Sequence, residues 1–282
     1  MLCPIQAFKS VENGQKSIAE DLGDPAITSK ITSNRPRKNT RLHKIIALNI
    51  RQGGGNRAPK LLEWILGQAP DLIVFSEWRP NLVGQSIILH LQESGYTSQS
   101  ISKDDTKANS VLVAGRKNFE LTNVTPQNSK KGVLGLADLG ALRICASYFP
   151  QKEEKVVFFD RCADLAKEHS NVPFLLVGDL NTGNNELDLE PGGDKFLCDD
   201  QFTSLETEVG LADLWRLQHG PDAREWTWRS SKNGFRIDHA FANDAFRTLY
   251  KKINCHYLHE PRETKITDHS ALVIDLTSVN EG

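Results

Sequence analysis

The sequence predicts an α/β fold in which two mixed β-sheets pack face to face with helices outside. Three observations lead there. Short apolar runs at 44–49, 71–77 and 173–178 are bounded by polar residues, Gly or Pro, as buried strands of mixed or parallel sheets are. Helical stripes follow the first two runs and precede the third. Paired strand patterns at 134–139 with 141–149, and at 225–229 with 235–242, read as antiparallel hairpins. The 282 residues suffice to bury a sizeable core.

Residues 1–42 are polar and poorly periodic, with Pro25 and Pro36 among many Ser, Thr and Asn. They read as a loosely ordered extension holding at most one short helix between Val11 and Leu22. Its basic end (Arg35, Arg37, Lys38, Arg41, then Lys44) fits either a solvated tail or a contact to phosphates. The folded domain is expected over 43–282.

That domain opens with the strand 44–49, which ends in the amide Asn49. Gly53-Gly54-Gly55 lacks the GxxxxGK[ST] spacing of a phosphate loop and reads as a flexible turn. A helix over 57–68 carries Leu61, Leu62, Ile65 and Leu66 on one stripe. The strand 71–77 ends in the carboxylate Glu77, and a helix over 83–93 follows. Strands at 110–114, 134–139 and 141–149 come next, the last ending in Tyr148-Phe149-Pro150. A helix over 154–169 leads into 173–178. Residues 182–200 are rich in Gly, Asn and Asp and too long for a mere connection, as functional loops often are. A helix near 201–209, the hairpin 225–229/235–242 and strands at 252–258 and 270–276 complete the chain, the last opened by Thr267-Asp268-His269.

Composition excludes several classes. There are 34 basic against 36 acidic residues, so no global field announces a polyanionic partner, although a carboxylate-rich site can mask a basic rim. Cys3, Cys145, Cys162, Cys198 and Cys255 form no CxxC pair, which suggests neither a disulfide framework nor zinc. A reducing, intracellular and cytoplasmic location is expected. No run approaches the ~18 apolar residues of a membrane span. No signal-peptide core is present, Glu12, Glu20, Asp21 and Asp24 argue against a transit peptide, and no protein partner is implied.

The chemistry concentrates where strands end. Asp179 and Asn181 close the run Pro173–Val177, and alternation along a strand puts them on one face. Alone, that stretch is equally a turn. Asn49, Glu77, Tyr148, Asp238, Asp268 and His269 lie at comparable positions. Glu77 with Asn49, and Asp268 as a third oxygen, would make the sparse oxygen site magnesium favours, with manganese able to substitute. Asp179 is a reasonable base for a water attacking phosphorus, with Asn181 holding that water or a phosphate oxygen. His269, oriented by Asp238, would stay protonated and stabilise a pentacovalent phosphate, and Tyr148 offers a phenol to the same group. Each residue alone also has a structural reading: Glu77 as a solvated end, Asp268-His269 as a strand-entry cap, His239 as a structural histidine. HExxH and G-x-S-x-G motifs are absent, which disfavours zinc and serine-hydrolase chemistry.

The conjunction Leu48-Asn49, Phe75-Ser76-Glu77, Ser147-Tyr148-Phe149-Pro150, Gly178-Asp179-Leu180-Asn181, Arg236-Ile237-Asp238 and Thr267-Asp268-His269 resembles the endonuclease/exonuclease/phosphatase superfamily. Its better-known members include exonuclease III-like abasic-site endonucleases, DNase I, neutral sphingomyelinases and inositol polyphosphate 5-phosphatases. The resemblance spans 44–276 and implies a DNase I-like four-layer α/β sandwich, magnesium, and phosphoester hydrolysis. It implies Glu77 and Asn49 at the metal, Asp179 at the water, and the Asp238–His269 pair at the scissile phosphate. The stretch Gly178–Gly183 and the pattern Thr227-Trp228 with Gly234-Phe235-Arg236-Ile237-Asp238 look closest to the exonuclease III-like branch. Two positions depart from it: Arg51 stands where an acidic residue is common, and His239 where an aromatic is. By the same resemblance Trp228, Phe235 and Ile237 are pocket candidates, with core packing of a hairpin as their other reading, and Arg51 and Arg236 join them at the substrate.

These readings leave a magnesium-dependent DNA nuclease, endo- or exonucleolytic, as the first expectation. A phosphatase or phosphodiesterase on an inositol phosphate, phospholipid head group or nucleotide is the alternative. A binding module without catalysis is disfavoured because every catalytic residue type is retained. Lys130-Lys131 and the basic residues 35–44 could contact a DNA backbone.

Overall fold

The computed structural model describes residues 42–101 and 105–278; the extension expected over 1–42 lies outside them except for Leu42, which is buried. The first half comprises β1 (Lys44–Asn49), α1 (Ala58–Gly67), β2 (Leu72–Trp78), α2 (Leu82–Glu93), β3 (Thr97–Ser100), β4 (Ser110–Gly115) and β5 (Glu120–Asn123). There follow β6 (Val133–Asp138), β7 (Arg143–Tyr148), α3 (Val156–Glu168), β8 (Phe174–Asp179), α4 (Asp199–Thr207), β9 (Ala212–Asp213) and α5 (Leu214–His219). The chain closes with β10 (Trp228–Arg229), β11 (Gly234–Phe235), β12 (Asp238–Ala242), α6 (Asp244–Leu249), β13 (Tyr250–Leu258), α7 (Glu260–Glu263) and β14 (Ala271–Ser278).

Two six-stranded sheets result, in the orders β13-β14-β1-β2-β4-β3 and β5-β6-β7-β8-β12-β9, with β10-β11 as a small separate ribbon. At the centre of each lies one parallel pair, β1 with β2 and β7 with β8, while the flanking pairs are antiparallel. Period-two alternation sorts the side chains into layers. Ile45 and Ala47 of β1, Val74 of β2, and Leu175 and Val177 of β8 meet between the sheets. Ile46, Leu48, Ile73 and Phe75 face outward onto Leu61, Leu62 and Ile65 of α1 and Ile87 and Leu91 of α2. On the other sheet, Phe174 and Leu176 face Phe158, Cys162 and Leu165 of α3 and Phe202 and Leu205 of α4. Each fully buried Leu, Ile or Phe contributes about 1.5–3 kcal/mol. The outcome is helix, sheet, sheet, helix, the DNase I-like sandwich. No helix of the described residues is long and apolar enough to cross a membrane.

The elements expected before and including β8 appear where the pattern places them, with small shifts at their ends. The strand expected over 235–242 is in fact two. Gly234–Phe235 pairs with β10, the chain breaks at Arg236 and Ile237, and Asp238–Ala242 pairs with β8 and β9. Arg236 is the cause. Its Nε donates to Asp188 Oδ1 and its Nη2 to Asp213 Oδ2, both at 2.6 Å, and Trp215 stacks against it at 4.8 Å. Arg216 donates to the same Asp188 oxygen at 2.6 Å, and the Arg236 amide donates to the Asp188 carbonyl at 2.8 Å. Burial alone would push the Asp213 carboxyl up, but the Arg236 charge holds it well below the usual carboxylate range. Arg236 is fully buried, with Nε and Nη2 taken by carboxylates and Nη1 enclosed, which speaks against its expected contact with substrate. Strands β3, β5 and β9 and helices α5–α7 escape the sequence reading because they are short or polar; β3, for example, reads Thr-Ser-Gln-Ser.

This cluster ties the 182–200 loop to the strand bearing Asp238. Asp188→Ala leaves two guanidinium groups short of a partner, one of them wholly buried, and is expected to cost about 3–5 kcal/mol. Chemical denaturation measures it, and a loss below about 1 kcal/mol would show that the cluster does not hold the loop.

Candidate active site

The two parallel pairs decide where the polar residues meet. β1 and β2 run together as far as the pair Asn49–Ser76, and Glu77 follows at an irregularity of β2, with a φ of 57°, one residue before that strand ends. β7 and β8 do the same, pairing Tyr148 with Asp179 at their ends. The Ser76 hydroxyl donates to the Ser147 carbonyl at 3.0 Å, bringing these two edges together. Antiparallel β12 begins at this edge, so its first residue, Asp238, pairs with Asp179. Antiparallel β14 likewise begins just after Asp268 and His269.

The side chains then close a network. Asn49 Nδ2 donates to Asp179 Oδ2 at 2.8 Å, and the Asn181 amide donates to Asp179 Oδ1 at 2.8 Å. His269 Nδ1 lies 2.9 Å from Asp238 Oδ2. Glu77 accepts the Gln52 amide at 2.7 Å and the Tyr148 hydroxyl at 3.3 Å, and Tyr148 in turn accepts Asn109 Nδ2 at 3.1 Å. Asp268 accepts Trp228 Nε1 at 3.4 Å, with Arg51 Nε at 3.6 Å. Thr267 anchors its segment by donating to the Asn49 carbonyl at 2.6 Å. One half of the site is dry: Asp179, Asp238 and His269 are 1%, 3% and 5% exposed. The other half, with Glu77, Asp268 and Arg51, is open to solvent.

Burial separates the protonation states. Desolvation, then the Asp238 charge, raises Asp179 to about 7, against the opposing His269 charge and the Asn49 hydrogen bond. Desolvation disfavours a charged His269, but the charge and hydrogen bond of Asp238, with Asp179 and Asp268 behind them, raise it to about 9. Burial, then the Glu77 charge, pushes the Tyr148 phenol well above its usual range, so it stays a neutral donor. At neutral pH the dry half thus holds an imidazolium beside a carboxylate poised to take a proton.

Two groups could hold a divalent cation. Ligand atoms of Asp179, Asp238 and His269 lie within 4.8 Å of one another, a mixed nitrogen and oxygen set. Glu77, Asn49 and Asp268 form an all-oxygen set of the kind hard cations prefer. Glu77 accepts two hydrogen bonds, which leaves about half of a carboxylate's lone-pair sites for a metal.

All the strand-end residues singled out in the sequence therefore converge. Asn181 arrives by a route other than strand alternation: β8 ends at Asp179, and a positive φ of 50° at Asn181 folds its amide back onto that carboxylate. Trp228 and Phe235 stack across the β10–β11 ribbon at 5.8 Å, Trp228 bridges to His269, and Ile237 is buried beneath. His239 is structural as expected, with Nε2 2.9 Å from the Thr182 carbonyl. Two supporting residues escaped the sequence reading. Asn109 sits in a loop without periodicity, and Lys155 sits in a charged run that reads as solvated. Yet Lys155 is 4% exposed and donates to the Asn181 carbonyl at 2.7 Å.

A sequence model of the Endonuclease/Exonuclease/phosphatase family matches residues 46–269. No curated protein matches the chain by sequence. Among solved structures, a Neisseria 3′ phosphatase (NExo) bound to a product DNA hairpin is similar with a TM-score of 0.69 and 18% identity, over 83% of this chain and 99% of that one. An AP endonuclease from Archaeoglobus fulgidus is similar with a TM-score of 0.69 and 17% identity, over 83% and 99%. TDP2 from C. elegans is similar with a TM-score of 0.64 and 16% identity, over 84% and 75%. These likenesses show a shared fold.

The His269–Asp238 pair can be tested without turnover. By NMR, the His269 imidazole should titrate near pH 9. In Asp238→Asn the raising charge is gone, so the titration should move down by at least about one pH unit, or 1.4 kcal/mol. An unmoved titration would show that Asp238 does not set the charge of His269.

Proposed function

The chain belongs to the endonuclease/exonuclease/phosphatase family, whose members hydrolyse phosphoester bonds, and from that premise we propose that it is a divalent-metal-dependent phosphodiesterase acting on DNA. The observation that carries this reading is the convergence of Asn49, Glu77, Asp179, Asn181, Asp238, Asp268 and His269 at one edge of both sheets. Asp179, with a proton affinity raised to near neutrality, accepts the proton of an attacking water. Asn181 and Asn49 fix the orientation of Asp179. His269, kept cationic by Asp238, stabilises charge as it builds on the phosphoryl oxygens. Tyr148 stays protonated and orients Glu77. Glu77, Asn49 and Asp268 would hold magnesium, or manganese in its place, which when bound polarises a phosphoryl oxygen and offsets developing charge.

DNA as substrate is supported by the similar Neisseria 3′ phosphatase, which is bound to a product DNA hairpin, by the likeness to an AP endonuclease, and by the aromatic ribbon of Trp228 and Phe235 beside Asp268. The free Cys145, Cys162, Cys198 and Cys255 fit a reducing cytoplasm. The near-neutral net charge of −2 favours a second reading, hydrolysis of a small phosphorylated molecule.

Purified protein should be assayed on duplex DNA, abasic duplex, single-stranded DNA, RNA and a panel of small phosphoesters. Asp179→Asn and His269→Ala should each lower kcat by about 10²–10⁴-fold with the fold intact. Glu77→Ala should raise the magnesium concentration needed for half-maximal rate. Turnover of DNA should fall steeply with salt, whereas that of a small ester should not. Near wild-type activity in either catalytic variant would overturn the mechanism, and an unchanged metal titration would remove Glu77 as a ligand.

A further inference from the structure

Residues 51–55, just past β1, all have positive φ, from 52° at Arg51 to 77° at Gly54. Three are glycines, but Arg51 and Gln52 carry the steric strain that L-residues meet there. The surrounding structure over-determines the turn. The Arg51 amide donates to Asn49 Oδ1 at 2.8 Å, and the Gln52 and Gly53 amides donate to Glu77 Oε2 and the Glu77 carbonyl, both at 2.7 Å. The Arg57 guanidinium donates to the Arg51 carbonyl at 2.7 Å and to the Ile266 carbonyl at 2.8 Å. Strain held in this way at a site edge points to a side chain whose position matters.

The turn delivers the Arg51 guanidinium to the open half of the site, Nε 3.6 Å from Asp268 Oδ2, with its side chain 57% exposed. Arg57 is consumed by backbone carbonyls and Arg236 by buried carboxylates, whereas among the described residues the terminal nitrogens of Arg51 meet no acceptor. A guanidinium held outward beside a phosphoryl site can donate to a phosphate oxygen that the other groups leave open.

Resting on the phosphoester-hydrolase reading, we propose that Arg51 binds the phosphoryl group and biases the site toward a terminal phosphate, a dianionic monoester at a nucleic-acid end, over an internal diester. A diester has two non-bridging oxygens and one negative charge; a terminal phosphate has three and two. His269 would serve one oxygen from the dry half, and a cation held by Glu77, Asn49 and Asp268 would serve another. A third donor finds an oxygen of its own, not shared with His269 or the cation, only on the monoester. Charge acts in the same direction. Glu77, Asp179, Asp238 and Asp268 line the site, and their repulsion weighs about twice as heavily on a dianion. Arg51 offsets that repulsion at the open edge of the site, beside Asp268.

The test uses Arg51→Gln and Arg51→Lys in the full chain with magnesium. Substrates are two duplexes of one sequence, one ending in a phosphate and one cleavable at an internal diester. Arg51→Gln should lose roughly 10- to 100-fold in kcat/KM on the terminal phosphate and much less on the diester. Arg51→Lys should recover part of the loss. Inorganic phosphate, titrated calorimetrically into magnesium-loaded protein, should bind Arg51→Gln at least about tenfold more weakly. Arg51 is exposed, so the thermal midpoint should not change. Equal losses on both substrates, or unchanged phosphate affinity, would overturn the proposal. Should the wild-type protein turn over neither duplex, the phosphoester reading fails on DNA, and the phosphate titration alone decides the role of Arg51.

Discussion

The hydrogen bond from Asn49 to Asp179 spans 130 residues of sequence and joins the two sheets at the edge where both parallel pairs end. The site depends on that junction. Without the sheets packed in this orientation, Asn49 and Glu77 of β1 and β2 and Asp179 and Asp238 of β8 and β12 would lie on separate surfaces. Ser76 bonding to the Ser147 carbonyl and Thr267 bonding to the Asn49 carbonyl fix the same seam from two further directions. Apolar packing between the sheets supplies the driving force, and these polar contacts supply the registration.

The seam also divides the site electrostatically. On the dry side, two carboxylates and a histidine share a volume that water barely enters, so small distances translate into large changes of proton affinity. On the wet side, Glu77, Asp268 and Arg51 remain accessible to ions and phosphates. Backbone strain follows the same boundary. Arg51, Gln52, Glu77 and Asn181 all have positive φ, and each is held by hydrogen bonds to neighbouring site residues. A second buried charge cluster, around Arg236, stands behind the chemistry. It has no access to substrate and serves to anchor the long loop and the start of β12.

Much of this was legible along the chain, for a local reason. A buried strand must end where the apolar run ends, so Asn49, Glu77, Tyr148 and Asp179 announce themselves as polar residues at a strand terminus. The helices over α1 to α3 announce themselves by period. The Asp238–His269 pair was legible from the residues only as a conditional pairing, which the resemblance favoured, because nothing local distinguishes Asp268-His269 from a strand-entry cap. The roles of Arg236 and Lys155 were not legible at all. Both look like surface charges until the groups that pack over them, Asp188 and Asp213 in one case and the Asn181 turn in the other, are in place.

The sequence by itself determined the α/β class, the apolar strands and the helices of the first two thirds, and the set of polar residues at strand ends, since these follow from periodicity and from where hydrophobicity stops. Tertiary structure decided which of those residues share a volume, which are dry, and which arginine faces solvent. Distance across two packed sheets and the dielectric around a charge are properties of the assembled layers. Neighbours in sequence carry neither, and so Arg51 and Arg236, alike in composition, end in opposite surroundings, one facing solvent and one enclosed among carboxylates.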